Sequence, residues 1–326
     1  MPADLARDPR GPAVRGRETL RERAAARRNR MLEPPPPPID DDDEGPEVPI
    51  VPVRRLVSLA TGGFAALLGV GLIMGAQTSG PLARLPFAIV VLGAQVLYVF
   101  ATTMALRPPS AKVLTIVGVV TGAAGSYLVN NPNKATITPL LFVAAGGFVV
   151  GAIGQLSTRQ GRLRITESIG SALWIVIGVT CFSTLLVLVR IPLGTQTIVI
   201  CLASAGVGLS IARLVDVAVP YPRLADQVPR GAVGIVAGTM MGPAVAGYIG
   251  KYIVMFTPGT AAIVGAIAAV VAMLTDLTIG FAEAGRELEG DAPTMWLARH
   301  MQSPLAGFAL ASVACYVINM YLWTVP

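Results

Sequence analysis

Asp276 is the residue whose position most needs a chemical reason. It lies inside Ala261–Phe281, an apolar run long enough to cross a bilayer, about a turn and a half from the end of that run. A carboxylate at such depth is expensive, and it normally faces a bundle interior, a cavity or a partner. Glu283, Arg286, Glu287, Glu289, Asp291, Arg299 and His300 follow in a charged loop before the next apolar run, and His300 is the chain's one histidine. Any ligand or chemistry is therefore expected here. The candidate catalytic residues are Asp276 and His300. The candidate ligand-binding set is Arg230, Asp276, Glu283, Arg286, Asp291, Arg299 and His300, and Asp276 is the one candidate for a metal. Soluble-enzyme signatures are absent: there is no Walker loop, nucleophile elbow, HExxH or His/Cys cluster with ligand spacing. Cys181, Cys201 and Cys315 fall inside apolar runs without paired spacing. That argues against a disulfide framework or zinc site and for small buried hydrophobes.

The elements that position these residues are membrane helices. Of 326 residues 53% are hydrophobic and only 13% charged, against about 25% charged in soluble domains. Nine apolar runs are each long enough for a hydrocarbon core of about 30 Å: 56–76, 85–106, 112–129, 138–156, 168–189, 194–212, 231–250, 260–281 and 303–323. The fold class is all-α, a polytopic helical bundle over 54–326. Basic residues between the runs alternate from rich to poor loops. Arg54/Arg55, Arg107/Lys112, Arg159/Arg162/Arg164, Arg213/Arg223/Arg230 and Arg286/Arg299 stand on one side, and single cations at Arg84, Lys134, Arg190 and Lys251 on the other. The positive-inside rule puts the N-terminus inside and the C-terminus outside. The formal charge of +6 thus reflects topology, and no nucleic-acid partner is expected.

Residues 1–53 read as a disordered cytoplasmic tail without a signal peptide. An Arg/Ala-rich stretch over 13–31 suits anionic headgroups or a solvated tail. Pro34–Pro38 is extended, and the carboxylates of Asp40–Glu44 repel one another. Arg213 and Asp216, three apart, are spaced to pair on one helical face, and Pro220, Pro222 and Pro229 impose an irregular re-entrant or surface loop. Glycines four apart, as at Gly147/Gly151 and Gly234/Gly238/Gly242, put small residues on one face. That face suits either a homodimer or packing within one bundle.

The order of elements over 165–326 resembles the phosphatidate cytidylyltransferase (CDP-diacylglycerol synthase) family. The carriers are "ITESIGSALWIVIGVTCFSTLLVLVRIP" (165–192), "VPRGAVGIVAGTMMG" (228–242), "TDLTIGFAEAGRELEGDAP" (275–293) and "ARHMQSPLAGFALASVACYV" (298–317). Pro229, Arg230, Asp276, Leu277, Arg286 and His300 match family motif positions. The resemblance implies lipid and nucleotide substrates with Mg2+ held by clustered carboxylates. The departures are as specific. Val228, Gly231 and Gly234 stand where the family has a serine, a lysine and a glutamate. Met301–Phe308 contains no carboxylate where paired aspartates belong, so Asp276 alone does not assemble a two-cation site.

The resulting expectation is a cytidylyltransferase-like fold that has lost its chemistry, a pseudoenzyme acting as a lipid-binding or scaffold subunit. Its partners would be membrane phospholipids, with a homodimer or other membrane proteins as further options. Two alternatives stand beside it: a divergent transferase using Mg2+ with Asp276, Glu283, Asp291 and His300, and a small transporter built around Asp276. The Ala/Gly/Arg-rich composition suggests a bacterial plasma (inner) membrane.

Overall fold

The computed structural model describes residues 51, 53–79, 84–130 and 136–324. Apart from Val51 and Val53, the expected tail lies outside the described residues. Nine helices long and apolar enough to cross a membrane are found among the described residues. In chain order they are α1 (Arg55–Gln77), α2 (Leu85–Leu106), α3 (Ala111–Asn130), α4 (Thr138–Leu156), then after the short α5 (Arg159–Leu163) α6 (Ile165–Leu188) and α7 (Gly194–Ala218). A two-stranded antiparallel hairpin, β1 (Arg223–Ala225) and β2 (Val228–Gly231), leads into α8 (Ala232–Gly250), α9 (Pro258–Leu288) and α10 (Trp296–Thr324). The chain is an all-α, polytopic integral membrane protein.

Local signals set several boundaries. Pro86 and Pro139 sit in the first turns of α2 and α4, where a missing N–H costs nothing. Thr257 and Thr260 form a reciprocal capping box at the start of α9, followed at once by Pro258.

Three boundaries move relative to the sequence reading. The helix expected to stop at 212 runs to Ala218, the one expected to stop at 281 runs to Leu288, and the last begins at Trp296 rather than 303. Charged residues at helix ends lower the local hydropathy but leave the backbone pattern intact, so the helices outrun the apolar runs. The proline-rich segment carries a short antiparallel hairpin, with a register irregularity between Arg223 and Ala225, where an irregular loop is expected; Pro229 lies in β2, and Pro220 and Pro222 precede β1.

Two packing groups share one helix. In one, α7 packs against α1, α8 and α9; in the other, α3, α4 and α6 pack together. The long α10 touches α2, α6, α7 and α9. Lipid gives no apolar driving force between helices, so close backbone approach decides the packing. The buried stripe of α8 consists of Gly234, Gly238, Gly242, Ala246 and Gly250. A Cβ on Gly238 would lie 2.8 Å from Ala212 Cβ and 2.9 Å from Met273 Cε, and one on Gly242 would lie 2.7 Å from Ser204 O. Gly147 and Gly151 likewise face Thr121 and Ala172. Within the described residues these glycines pack against neighbouring helices of the same bundle.

One end of the bundle collects the basic residues. There the N-terminus of α1 meets the hairpin, with Val51 N donating to Asp226 O at 3.1 Å and Arg223 donating to Val51 O at 2.6 Å. Arg107, at the end of α2, donates to the carbonyls of Ala292 and Pro293 in the α9–α10 connection. Ser110, before α3, accepts and donates across to Gln155 at the end of α4. Among the described residues only Arg84, Arg190 and Lys251 lie at the opposite end.

Candidate functional site

Four ionisable side chains meet where α7, β2 and α9 converge. Arg230 Nη1 is 2.7 Å from Asp276 Oδ2, and its Nε is 3.1 Å from Asp216 Oδ2. Arg213 pairs with Asp276 Oδ1, which also accepts from the Ser303 hydroxyl of α10. Gly231 N donates to Asp216 Oδ1 at 3.0 Å. Both aspartates and Arg230 are at most 2% exposed. The backbone makes room for this: a side chain at Gly234 would overlap the Asp216 carboxylate and come within 2.6 Å of Ala212 O. Any residue but glycine there would force the Asp216 carboxylate or the α7 backbone to shift.

Pairing by sequence spacing fails at this point. Arg213 does not take Asp216 three residues along its own helix. Arg213 pairs with Asp276 of α9, and Asp216 with Arg230 of β2. The result is a chain, Asp216–Arg230–Asp276–Arg213, in which burial demands that charges be matched. Burial, and the adjacent Arg213 cation, lower the pKa of the Arg230 guanidinium, while Asp276 and Asp216 oppose that shift. The matching is electrostatic more than directional. Arg230 Nε and Nη1, Arg213 Nε, Asp216 Oδ2 and Asp276 Oδ2 have no aligned hydrogen bond.

A cavity of about 60 Å³ opens beside this chain. Arg54, Arg213, Arg230 and Arg299 line it with Asp276 and Glu283, together with Ser58, Thr61 and Ser303. With Asp216 behind the wall and Glu287 beside Arg299, four arginines meet four carboxylates, and Arg54 is the one of the four that no carboxylate pairs among the described residues. Arg299 spends its charge on Glu283 and Glu287, at 3.2 and 3.5 Å. Arg54 has no acidic partner among the described residues, nor has the buried Ser58 hydroxyl a hydrogen-bond partner there. Such a cavity holds a few waters or one small anionic group, and falls far below the several hundred Å³ of drug-sized ligand pockets.

Of the residues singled out from the sequence, Arg230, Asp276, Glu283 and Arg299 are brought together. Arg286 and Asp291 lie apart, lining a neighbouring groove. Arg286 donates to Ala105 O at 2.6 Å, at the carbonyl end of α2, a favourable place for a cation. His300 is on a helix, not in a loop. It is 7% exposed, its Nδ1 lies 2.6 Å from Trp296 O, and its ring packs 4.4 Å from that indole. It lines neither the cavity nor the groove. Arg213, Asp216, Arg54, Ser58 and Ser303 complete the site without having been singled out for it. Arg213 and Asp216 become visible as membrane-depth charges once the seventh span is carried to 218. Ser303 gives no signal in sequence.

The residues present do not fit the divalent cation that the resemblance implies. Asp276 is the lone carboxylate at the expected position, and two guanidiniums and a hydroxyl take its oxygens. Among the described residues, no three His, Cys, Asp or Glu side chains are placed to hold a metal. No protein-family model matches the sequence, and comparison with curated proteins gives no match.

Proposed function

We propose that this integral membrane protein binds the phosphate of an anionic phospholipid at the basic end of its bundle and acts as a lipid-binding or scaffold subunit without processing the lipid. The observation that carries this reading is a small cavity at the end of the bundle lined by Arg54, which has no acidic partner among the described residues, and by the Ser58 hydroxyl, which has no hydrogen-bond partner there. Guanidiniums suit phosphate through fork-shaped, charge-assisted hydrogen bonds. The basic end faces the cytoplasm in this reading, by the positive-inside rule, and the membrane is a bacterial plasma membrane by composition.

Kinship with the phosphatidate cytidylyltransferase family belongs to the same proposal and is supported by element order over 165–326. Transfer chemistry is the part to drop. The Asp276 carboxylate faces arginines, Asp291 lines a different groove and His300 is packed on Trp296. Purified protein supplied with CTP, phosphatidic acid and Mg2+ is expected to form no CDP-diacylglycerol. Turnover that Asp276→Ala abolishes would overturn the proposal.

A further inference from the structure

Next to the charge-chain cavity, with Ile279 of α9 lining both, lies a groove of about 360 Å³ between α2, α6, α9 and α10. We propose that it seats an ammonium-headed phospholipid of the phosphatidylethanolamine type, with the amine at Glu289 and Asp291 and the ester region at Gln302. This inference rests on different residues from the anionic cavity and stands or falls separately.

The order of residues along the helices grades the groove by depth. Arg164 and Glu167 open α6, and Trp174 comes about two turns further in; Glu289 caps α9, and Thr278 and Ile279 lie about three turns back from it. Charges therefore ring the mouth, and apolar side chains line the floor. That polarity is the one a phospholipid presents from headgroup to chains.

The charges at the mouth are not equally available. Arg164 is paired with Glu167, its Nε 2.8 Å from Oε1. Arg286 donates to the carbonyls of Ala105 and Ala282, at 2.6 and 3.4 Å, which fixes its direction and keeps its charge. Glu289 and Asp291 have no cation partner among the described residues, and three lining carboxylates, Glu167, Glu289 and Asp291, against two guanidiniums, Arg164 and Arg286, leave the rim net negative. A headgroup carrying a positive charge is complementary to it, and a headgroup with only a phosphate is not.

Gln302 supplies the second, independent observation. It lies on α10 about 9 Å from the helix start, is only 4% exposed and lines the groove. Among the described residues its side-chain amide has no hydrogen-bond partner. The amide thus reaches the groove without a partner from the chain, and a polar group from outside the chain suits it. At its depth, below the charged rim and above the apolar floor, a lipid offers ester carbonyls.

The test is native mass spectrometry of the full chain released from micelles doped with phosphatidylethanolamine or phosphatidylglycerol. One exposed ion pair is worth up to about 1 kcal/mol, about fivefold in retention. Glu289→Gln/Asp291→Asn, both on the exposed rim, is expected to lower phosphatidylethanolamine retention by about that factor and to leave phosphatidylglycerol retention unchanged. Arg54→Ala is expected to do the reverse. Phosphatidylethanolamine retention that the double variant does not move, or that falls together with phosphatidylglycerol, would overturn the assignment. Gln302→Leu should lower phosphatidylethanolamine retention without lowering the lipid-free melting temperature; a lower melting temperature with retention intact would remove Gln302 from the site. Glycerophosphoethanolamine, which has the headgroup without chains, should not displace the lipid at equal concentration. Displacement would overturn the lipid as the source of the amine.

Discussion

Gln95, Ser126 and Ser183 meet between α2, α3 and α6, while Arg213, Asp216, Arg230 and Asp276 meet between α7, β2 and α9. Both clusters are buried and polar, yet they are built on opposite terms. The Gln95 amide donates to Val179 O and Ser183 Oγ at 2.8 Å each, and its carbonyl accepts from Ser126 at 3.2 Å. Gly122 opposite leaves room for that carbonyl. Nothing there is charged, and both ends of the amide are used. The second cluster balances charge but leaves several nitrogens and oxygens without aligned hydrogen bonds, beside a cavity lined by the unpaired Arg54. A neutral, saturated cluster pins helices together. A charged, incompletely saturated one can exchange partners with a ligand.

The sharpest way to break this comparison is to remove one charge. Asp276→Ala leaves two guanidiniums without their shared carboxylate, and loss of one partner from a buried pair costs about 3–5 kcal/mol. Denaturant unfolding in micelles should show that loss, and a change below about 1 kcal/mol would mean that the cluster contributes little to the folded state. Gly234→Ala comes next. Its methyl would press on Asp216 and Ala212 O, and overpacking of this kind costs about 1–3 kcal/mol, read as a lower melting temperature.

Gln95→Leu should cost less, about 0.6 kcal/mol and at most about 1.7, the scale of neutral hydrogen bonds between membrane helices. The same unfolding assay checks it. A loss equal to that of Asp276→Ala would erase the distinction between the clusters. Arg54→Ala, at the cavity mouth and exposed, should change stability by no more than about 0.5 kcal/mol, with its effect confined to ligand retention.

Nine helices and the importance of Asp276 were legible in the sequence because hydropathy over 20 residues and a carboxylate inside such a run are strong signals. The partners of Asp276 were not. Arg213 and Asp216 lie just past the apolar run, so hydropathy alone ends α7 six residues short, and spacing along one helix matches the pair wrongly. Which residue an arginine meets across an interface depends on helix rotation, which apolar periodicity does not fix in a helix that is apolar on all sides. His300 was misplaced for the same reason in reverse. Arg299 and His300 looked like loop residues, although α10 begins before them and His300 bonds back to Trp296 within the first turns. Ser303 carries no signal until α10 is packed against α9.

The central claim is that the charged cluster borders an anion site. Its most direct test is retention of phosphatidic acid against phosphatidylcholine by the purified protein, in the wild type and in Arg54→Ala. A charge-assisted contact of about 1.4 kcal/mol or more predicts at least about a tenfold preference for the anionic lipid in the wild type, falling toward parity in Arg54→Ala at unchanged melting temperature. Equal retention of both lipids by the wild-type protein would contradict the account.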